Sequence, residues 1–214
     1  MKDHSREILL VNSNLMKPPV SPVAVDFLAS SLRANGFSVR FLDLAFENDI
    51  DSALKQALAR SPLFVGISIR NIDDSFFATR DFCLARVRPI VQKVKELTDA
   101  PVVLGGVGYS IFPIATLEYC GGNYGIHGDG EGAIVQLASA LSKGEAPLET
   151  PGLVSRLNGS YVRNIPAPVD LSSLDLTDRS TVDNLRYLRE GGMVGFETKR
   201  GCASSCSYCA DPLS

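Results

Sequence analysis

Short apolar runs alternate along the chain with longer stretches whose apolar residues recur three or four positions apart. The runs at residues 7–11, 38–44, 63–69, 101–104 and 124–127 have strand length. The third reads as one continuous apolar run, as a strand covered on both faces requires. Between the runs, residues 21–36, 49–60, 75–98 and 131–142 have helical period. Ser21 followed by Pro22 makes a helix start, Gly36 and Gly144 make helix stops, and Pro89 interrupts the third helical segment. Ile50, Ala53, Leu54, Ala57 and Leu58 fall on one helix face. Strands alternating with helices predict an α/β domain over residues 1–145, a Rossmann-like (flavodoxin-like) five-stranded parallel sheet wrapped by helices.

The pattern then changes. Residues 153–157 and 160–163 flank Asn158-Gly159 and predict a tight hairpin, followed by a linker with Pro166, Pro168 and several serines and a short helix at 181–189. Hairpin and linker occupy residues 146–190. Residues 193–198 read as the first strand of a further unit, 191–214, that has barely begun.

The chain has 214 residues, 45% of them hydrophobic and 21% charged, enough for one core of ordinary size plus an appendage. A net charge of -3 gives no electrostatic reason to expect nucleic acid. No apolar run approaches the ~20 residues that span a bilayer, so no membrane partner is expected. Five cysteines, an odd count, and the absence of a secretory leader point to a reducing, cytoplasmic setting.

Cys202, Cys206 and Cys209 stand in a Cys-x3-Cys-x2-Cys run directly after the 193–198 stretch. Three thiolates on one short loop can grip three irons of a 4Fe–4S cube and leave the fourth open to a small chelating molecule. Zinc is the competing reading, but it normally takes four ligands in paired units, and no second pair exists. Cys83 lies in an apolar helical run and Cys120 at a helix end, so both read as buried small hydrophobes. His4 and His127 are the only histidines, and His127 reads as a packed strand-end residue.

Two glycine-rich loops follow strands: Gly105-Gly106-Val107-Gly108-Tyr109 and Gly128-Asp129-Gly130-Glu131-Gly132. Such loops admit a large planar or phosphate-bearing ligand close to backbone, or serve only as tight turns. The loop at residues 12–22 is too long and proline-rich for a dinucleotide-binding turn.

The cysteine loop, with Tyr208 before its last cysteine and Glu197-Thr198-Lys199-Arg200-Gly201 ahead of it, resembles that of radical S-adenosylmethionine enzymes. The order of elements before it, the proline-rich first loop and the two glycine loops resemble the cobalamin-binding domain that precedes the radical domain in one large subfamily. The resemblance implies three cofactors: a 4Fe–4S cluster held by Cys202, Cys206 and Cys209, S-adenosylmethionine on the open iron, and cobalamin. Ser68, Ile69, Arg70, Asn71, Gly105, Gly106, Val107, Gly108, Tyr109, Gly128, Asp129, Gly130 and Glu131 would line the corrin and its nucleotide tail. It further implies a methyltransferase acting on an unactivated carbon or phosphorus centre through methylcobalamin and a 5'-deoxyadenosyl radical. Its partners would be a small-molecule or peptide substrate and an electron donor such as flavodoxin or ferredoxin. No catalytic residue is assigned, and the chain alone is expected to be catalytically incomplete, its radical domain truncated.

Two departures qualify the match. No histidine lies between Asn12 and Ser21, so cobalt would receive no imidazole from that loop; and where related domains often carry Ser-x-Leu or Ser-x-Thr after the third strand this chain has Ser68-Ile69-Arg70, whose arginine is the cation expected nearest the lower face of cobalt. Two alternatives stand: a radical enzyme whose first domain takes no cobalamin, and a ligand-sensing module with zinc on the cysteines. A receiver-type sensor needs an acidic cluster at the strand ends, whereas Asp43 stands alone after the second strand and the first ends at Asn12.

Overall fold

The computed structural model describes residues 6–170, 172, 178–202, 204 and 206–209. Strand β1 (Glu7–Asn12) lies between β2 (Ser38–Asp43) and β3 (Val65–Ser68), and β4 (Val102–Gly105) and β5 (Tyr124–Ile126) continue the parallel sheet beyond β3. The hairpin expected around Asn158-Gly159 forms as β6 (Leu153–Leu157) and β7 (Ser160–Arg163). It does not stand apart from the sheet. β6 pairs antiparallel with β5, giving a mixed seven-stranded sheet in the order β2-β1-β3-β4-β5-β6-β7.

Alternation along β1 explains the two-sided core. Leu9 and Val11 enter one hydrophobic cluster, with residues of α2 (Ile50–Ala57), α3 (Leu84–Leu97) and α5 (Pro113–Cys120). Ile8 and Leu10 enter the other, under α1 (Val23–Ala34) and α6 (Glu131–Ser142). A one-turn helix, α4 (Val107–Ile111), follows β4. The apolar period does not delimit α4 and α5, whose combined span is short and broken at Phe112-Pro113.

The third helix departs from expectation at its start. Residues 75–83 are not helical, because Asp73 Oδ1 accepts from the Ser75 N–H (2.9 Å) and Asp74 Oδ1 from the Phe76 N–H (3.1 Å). Such side-chain bonds offer the backbone an alternative to the helical ladder. Pro89, in contrast, is accommodated inside α3 on an exposed face.

The linker returns to the sheet. Asp26 of α1, fully buried, accepts from Arg179 Nε (2.8 Å) and from the backbone of Thr181 (3.1 Å) and Val182 (3.0 Å). Helix α7 (Asn184–Arg189) inserts Tyr187, whose hydroxyl donates to Asp43 Oδ2 (2.7 Å) while Asn12 Nδ2 donates to Asp43 Oδ1 (2.8 Å). Burial, with Asp43 beside it, raises the Tyr187 hydroxyl pKa. Met193 makes one parallel bridge with Val20, but residues 194–198 form no strand ladder. Among the described residues no helix is long and apolar enough to cross a membrane.

Candidate functional site

The strand order reverses direction at β1, with β2 on one side and β3 on the other, and in open α/β sheets ligands bind beside such a point at the strands' carboxyl ends. A cleft of about 630 Å³ opens there between the sheet, α1 and α6. Its floor is apolar, with Leu10, Val25, Leu28, Val103 and Ile134 among its residues. Gly66 of β3 contributes no side chain to that floor, and a Cβ there would come within 2.9 Å of Leu10 Cδ2. The volume lies within the range of cofactor pockets, about 300–1,000 Å³.

One end of the cleft is polar. Asp129 and Glu131, from the β5–α6 loop and the start of α6, face Glu197, Lys199 and Arg200 of the strap that leads into the cysteines. Arg200 Nη2 donates to Glu131 Oε1 (2.6 Å), Nε to Glu197 Oε2 (2.8 Å), and Nη1 reaches Asp129 Oδ1 (3.4 Å). Burial alone would lower the Arg200 pKa, but the bonds to Glu131 and Glu197 outweigh it and hold the guanidinium charged. Glu131 Oε2 is buried and has no hydrogen-bond partner. Asp129 Oδ2 accepts from the Val169 N–H (2.9 Å), drawing the linker over the opening.

The family model for the B12 binding domain matches residues 15–138. The chain belongs to the B12-binding domain family. It is also homologous to the tryptophan 2-C-methyltransferase of Streptomyces laurentii, with 34% identity over 96% of this chain and 43% of that protein. The structure of the radical S-adenosylmethionine methyltransferase TsrM from Kitasatospora setae, solved with tryptophan substrate and an S-adenosylmethionine analogue, superposes with a TM-score of 0.90 at 38% identity. The match covers 98% of this chain and 42% of TsrM. TsrM has also been solved with cobalamin and a 4Fe–4S cluster bound. The cobalamin-dependent radical enzyme OxsB shares the fold, with a TM-score of 0.73 at 22% identity. The chain thus spans about two fifths of the length of the methyltransferases it matches.

Within this B12-binding domain, Ser68, Gly105, Gly106, Val107, Gly128, Asp129, Gly130 and Glu131 line the cleft. Ile69, Arg70 and Asn71 lie instead against a small recess with Ser13 and Cys83, and the exposed Arg70 donates from Nη1 to Asn71 Oδ1 (3.2 Å). Gly108 and Tyr109 are buried outside the cleft wall. Tyr109 packs in the α3-side core, over the space a side chain at Gly125 would fill. Gly108 lets α4 approach the 70–71 backbone, where a Cβ would come within 2.8 Å. Gly106 (φ 102°, ψ 171°) needs its glycine both for conformation and for its approach to Ile69 O, which would lie 2.6 Å from a Cβ. Gly66, Leu28, Glu197 and Arg200 are cleft residues that sequence reasoning missed. Gly66, a lone glycine interrupting an apolar strand, carried the available signal for close ligand approach.

Cys202 and Cys206 are exposed and Cys209 is partly buried, with the Cys209 N–H donating to Cys206 O (3.2 Å). Among the described residues no three His, Cys, Asp or Glu side chains converge at metal-binding distance. The donor types and spacing suit a cluster on one loop, but the thiols are not gathered. Cys83 and Cys120 are both buried, as expected, and burial pushes the Cys120 thiol up to about 11. His127 is a buried strand-end residue outside the cleft, with neither ring nitrogen hydrogen-bonded.

Proposed function

We propose that this chain is the cobalamin-holding part of a cobalamin-dependent radical S-adenosylmethionine methyltransferase. The observation that carries this reading is the cleft at the β1/β3 switch point, open at Gly66 and roofed by the strap that leads to Cys202. The residues present fit the group. An apolar floor suits a flat aromatic nucleotide base, and the unsatisfied Glu131 Oε2 calls for a donor such as an amide N–H or hydroxyl. Bound in the cleft, cobalamin would supply a transferable methyl group, and a 4Fe–4S cluster on the cysteine loop would supply an electron to S-adenosylmethionine.

The chain's own part is to hold and orient. Ser68, Gly105, Gly106, Val107 and Gly128 to Glu131 form the walls; Cys202, Cys206 and Cys209 are the proposed cluster ligands. The acceptor proposed is a carbon centre, as in the Streptomyces laurentii relative, with an electron-donor protein as partner and a cytoplasmic location. In this reading residues 1–145 hold the corrin, 146–190 connect, and 191–214 begin the cluster-bearing unit.

Anaerobic loading with hydroxocobalamin, iron and sulfide, followed by desalting, tests this. The expected result is that corrin and iron both remain on the wild type, and that replacing Cys202, Cys206 and Cys209 with alanine removes the iron and leaves the corrin. Loss of the corrin from the wild type contradicts the proposal.

A further inference from the structure

The strap ahead of the cysteines and the polar end of the cleft share one carboxylate. Glu131 is 3% exposed, and its two oxygens have different fates. Oε1 is committed to Arg200 Nη2 at 2.6 Å, while Oε2 is buried without a partner. A buried carboxylate oxygen left unsatisfied is costly, and Glu131 lines the cleft, so a donor that reaches Oε2 from the cleft relieves that cost.

Arg200 is held from three sides, by Asp129 and Glu131 of the cleft wall and by Glu197 of its own strap. Its side chain is only 18% exposed, and its guanidinium lies 5.7 Å from the Phe27 ring of α1. The forked, planar cation can hold several carboxylates in fixed directions, which a lysine ammonium does not. Cys202 follows two residues later, no more than about 7 Å along the chain. Where Arg200 sits therefore confines where the cysteine loop begins to within that reach.

Three carboxylates against Arg200 and Lys199 leave this end of the cleft with an excess of negative charge. An anionic group such as a phosphate is repelled from it, and a neutral amide N–H or hydroxyl is accepted. On the reading that the cleft takes cobalamin, we propose that Glu131 and Arg200 act as a coupling pair. Glu131 Oε2 receives a neutral donor from the cofactor's periphery while Oε1 holds the arginine that positions the cysteine loop. Arg200 is thus a positioning residue, and occupancy of the cleft orders the strap. Coupling of this kind is reciprocal, so an ordered strap tightens the cofactor's binding by the same factor.

Hydrogen exchange of the full chain, read by mass spectrometry on peptides covering residues 197–202 with and without saturating hydroxocobalamin, tests the pair. Corrin absorbance after desalting is recorded first. In the wild type cobalamin should slow exchange of the strap about tenfold, within the usual range of coupling between sites. Arg200→Ala at saturating cobalamin should show no slowing, and Arg200→Lys should restore part of it. Glu131→Gln and Glu131→Gln/Arg200→Ala should lose no more than Arg200→Ala alone, because two residues acting as a unit do not add. Equal slowing in wild type and Arg200→Ala, or additive losses, would overturn the coupling while leaving the cobalamin reading intact. A wild type that retains no corrin overturns that reading, and the coupling with it. Should Arg200→Ala not melt cooperatively, full slowing in a folded Arg200→Lys likewise overturns the need for the forked cation.

Discussion

Gly106 and Gly105 are neighbours with opposite tolerances. Gly106 occupies a region of backbone space essentially reserved for glycine, and a Cβ would press on the Ile69 carbonyl. Gly105 has its nearest prospective contact at 3.6 Å, ordinary van der Waals distance. Gly106→Ala is expected to destabilise the fold by about 1–3 kcal/mol in urea unfolding, and Gly105→Ala by much less. Gly106→Val would add a branched side chain at the same strained position and so confound folding with binding. His127 gives a second prediction. Burial, then the charge of Arg163, lowers its pKa below the ordinary ~6.5. Between that value and the lowered one the unfolded chain binds a proton that the folded chain refuses, so stability is full above about pH 6.5 and falls as pH drops below it. Melting temperatures compared at pH 7 and 5.5 should show this fall, and His127→Leu should lessen it.

At the scale of elements, the linker is bound to the domain by single buried groups. Asp26→Ala removes the acceptor for Arg179 and for the backbone of Thr181 and Val182, and should cost about 2–3 kcal/mol in unfolding free energy. Exchange at residues 179–182 should rise with it. This docking was not legible in the sequence, since Asp26 and Arg179 lie 153 residues apart and an acidic residue near a helix start is usually solvated. The five parallel strands and the hairpin were legible, because β-length apolar runs and an Asn-Gly turn are local signals. Residues 75–83 misled, because Asp73 and Asp74 redirect the backbone with bonds that periodicity does not register.

For the whole molecule, the two glycine loops were found from sequence as a pair, and the fold brings Gly105 to Val107 and Gly128 to Glu131 to one cleft. The floor and the strap were not found, since they depend on which face of β1 and β3 is turned toward α1 and on a return of the chain some seventy residues later. Calorimetric titration of hydroxocobalamin into the wild type and into Ala24→Phe tests most directly whether this cleft is the cobalamin site. Ala24 lines the cleft from the partly exposed start of α1, so the larger ring should narrow it without entering the core. One corrin should bind per wild-type chain, and affinity should be weakened about tenfold or more in Ala24→Phe at similar melting temperature. Equal affinity in the two proteins, or no binding by the wild type, would contradict the cleft's assignment as the cobalamin site.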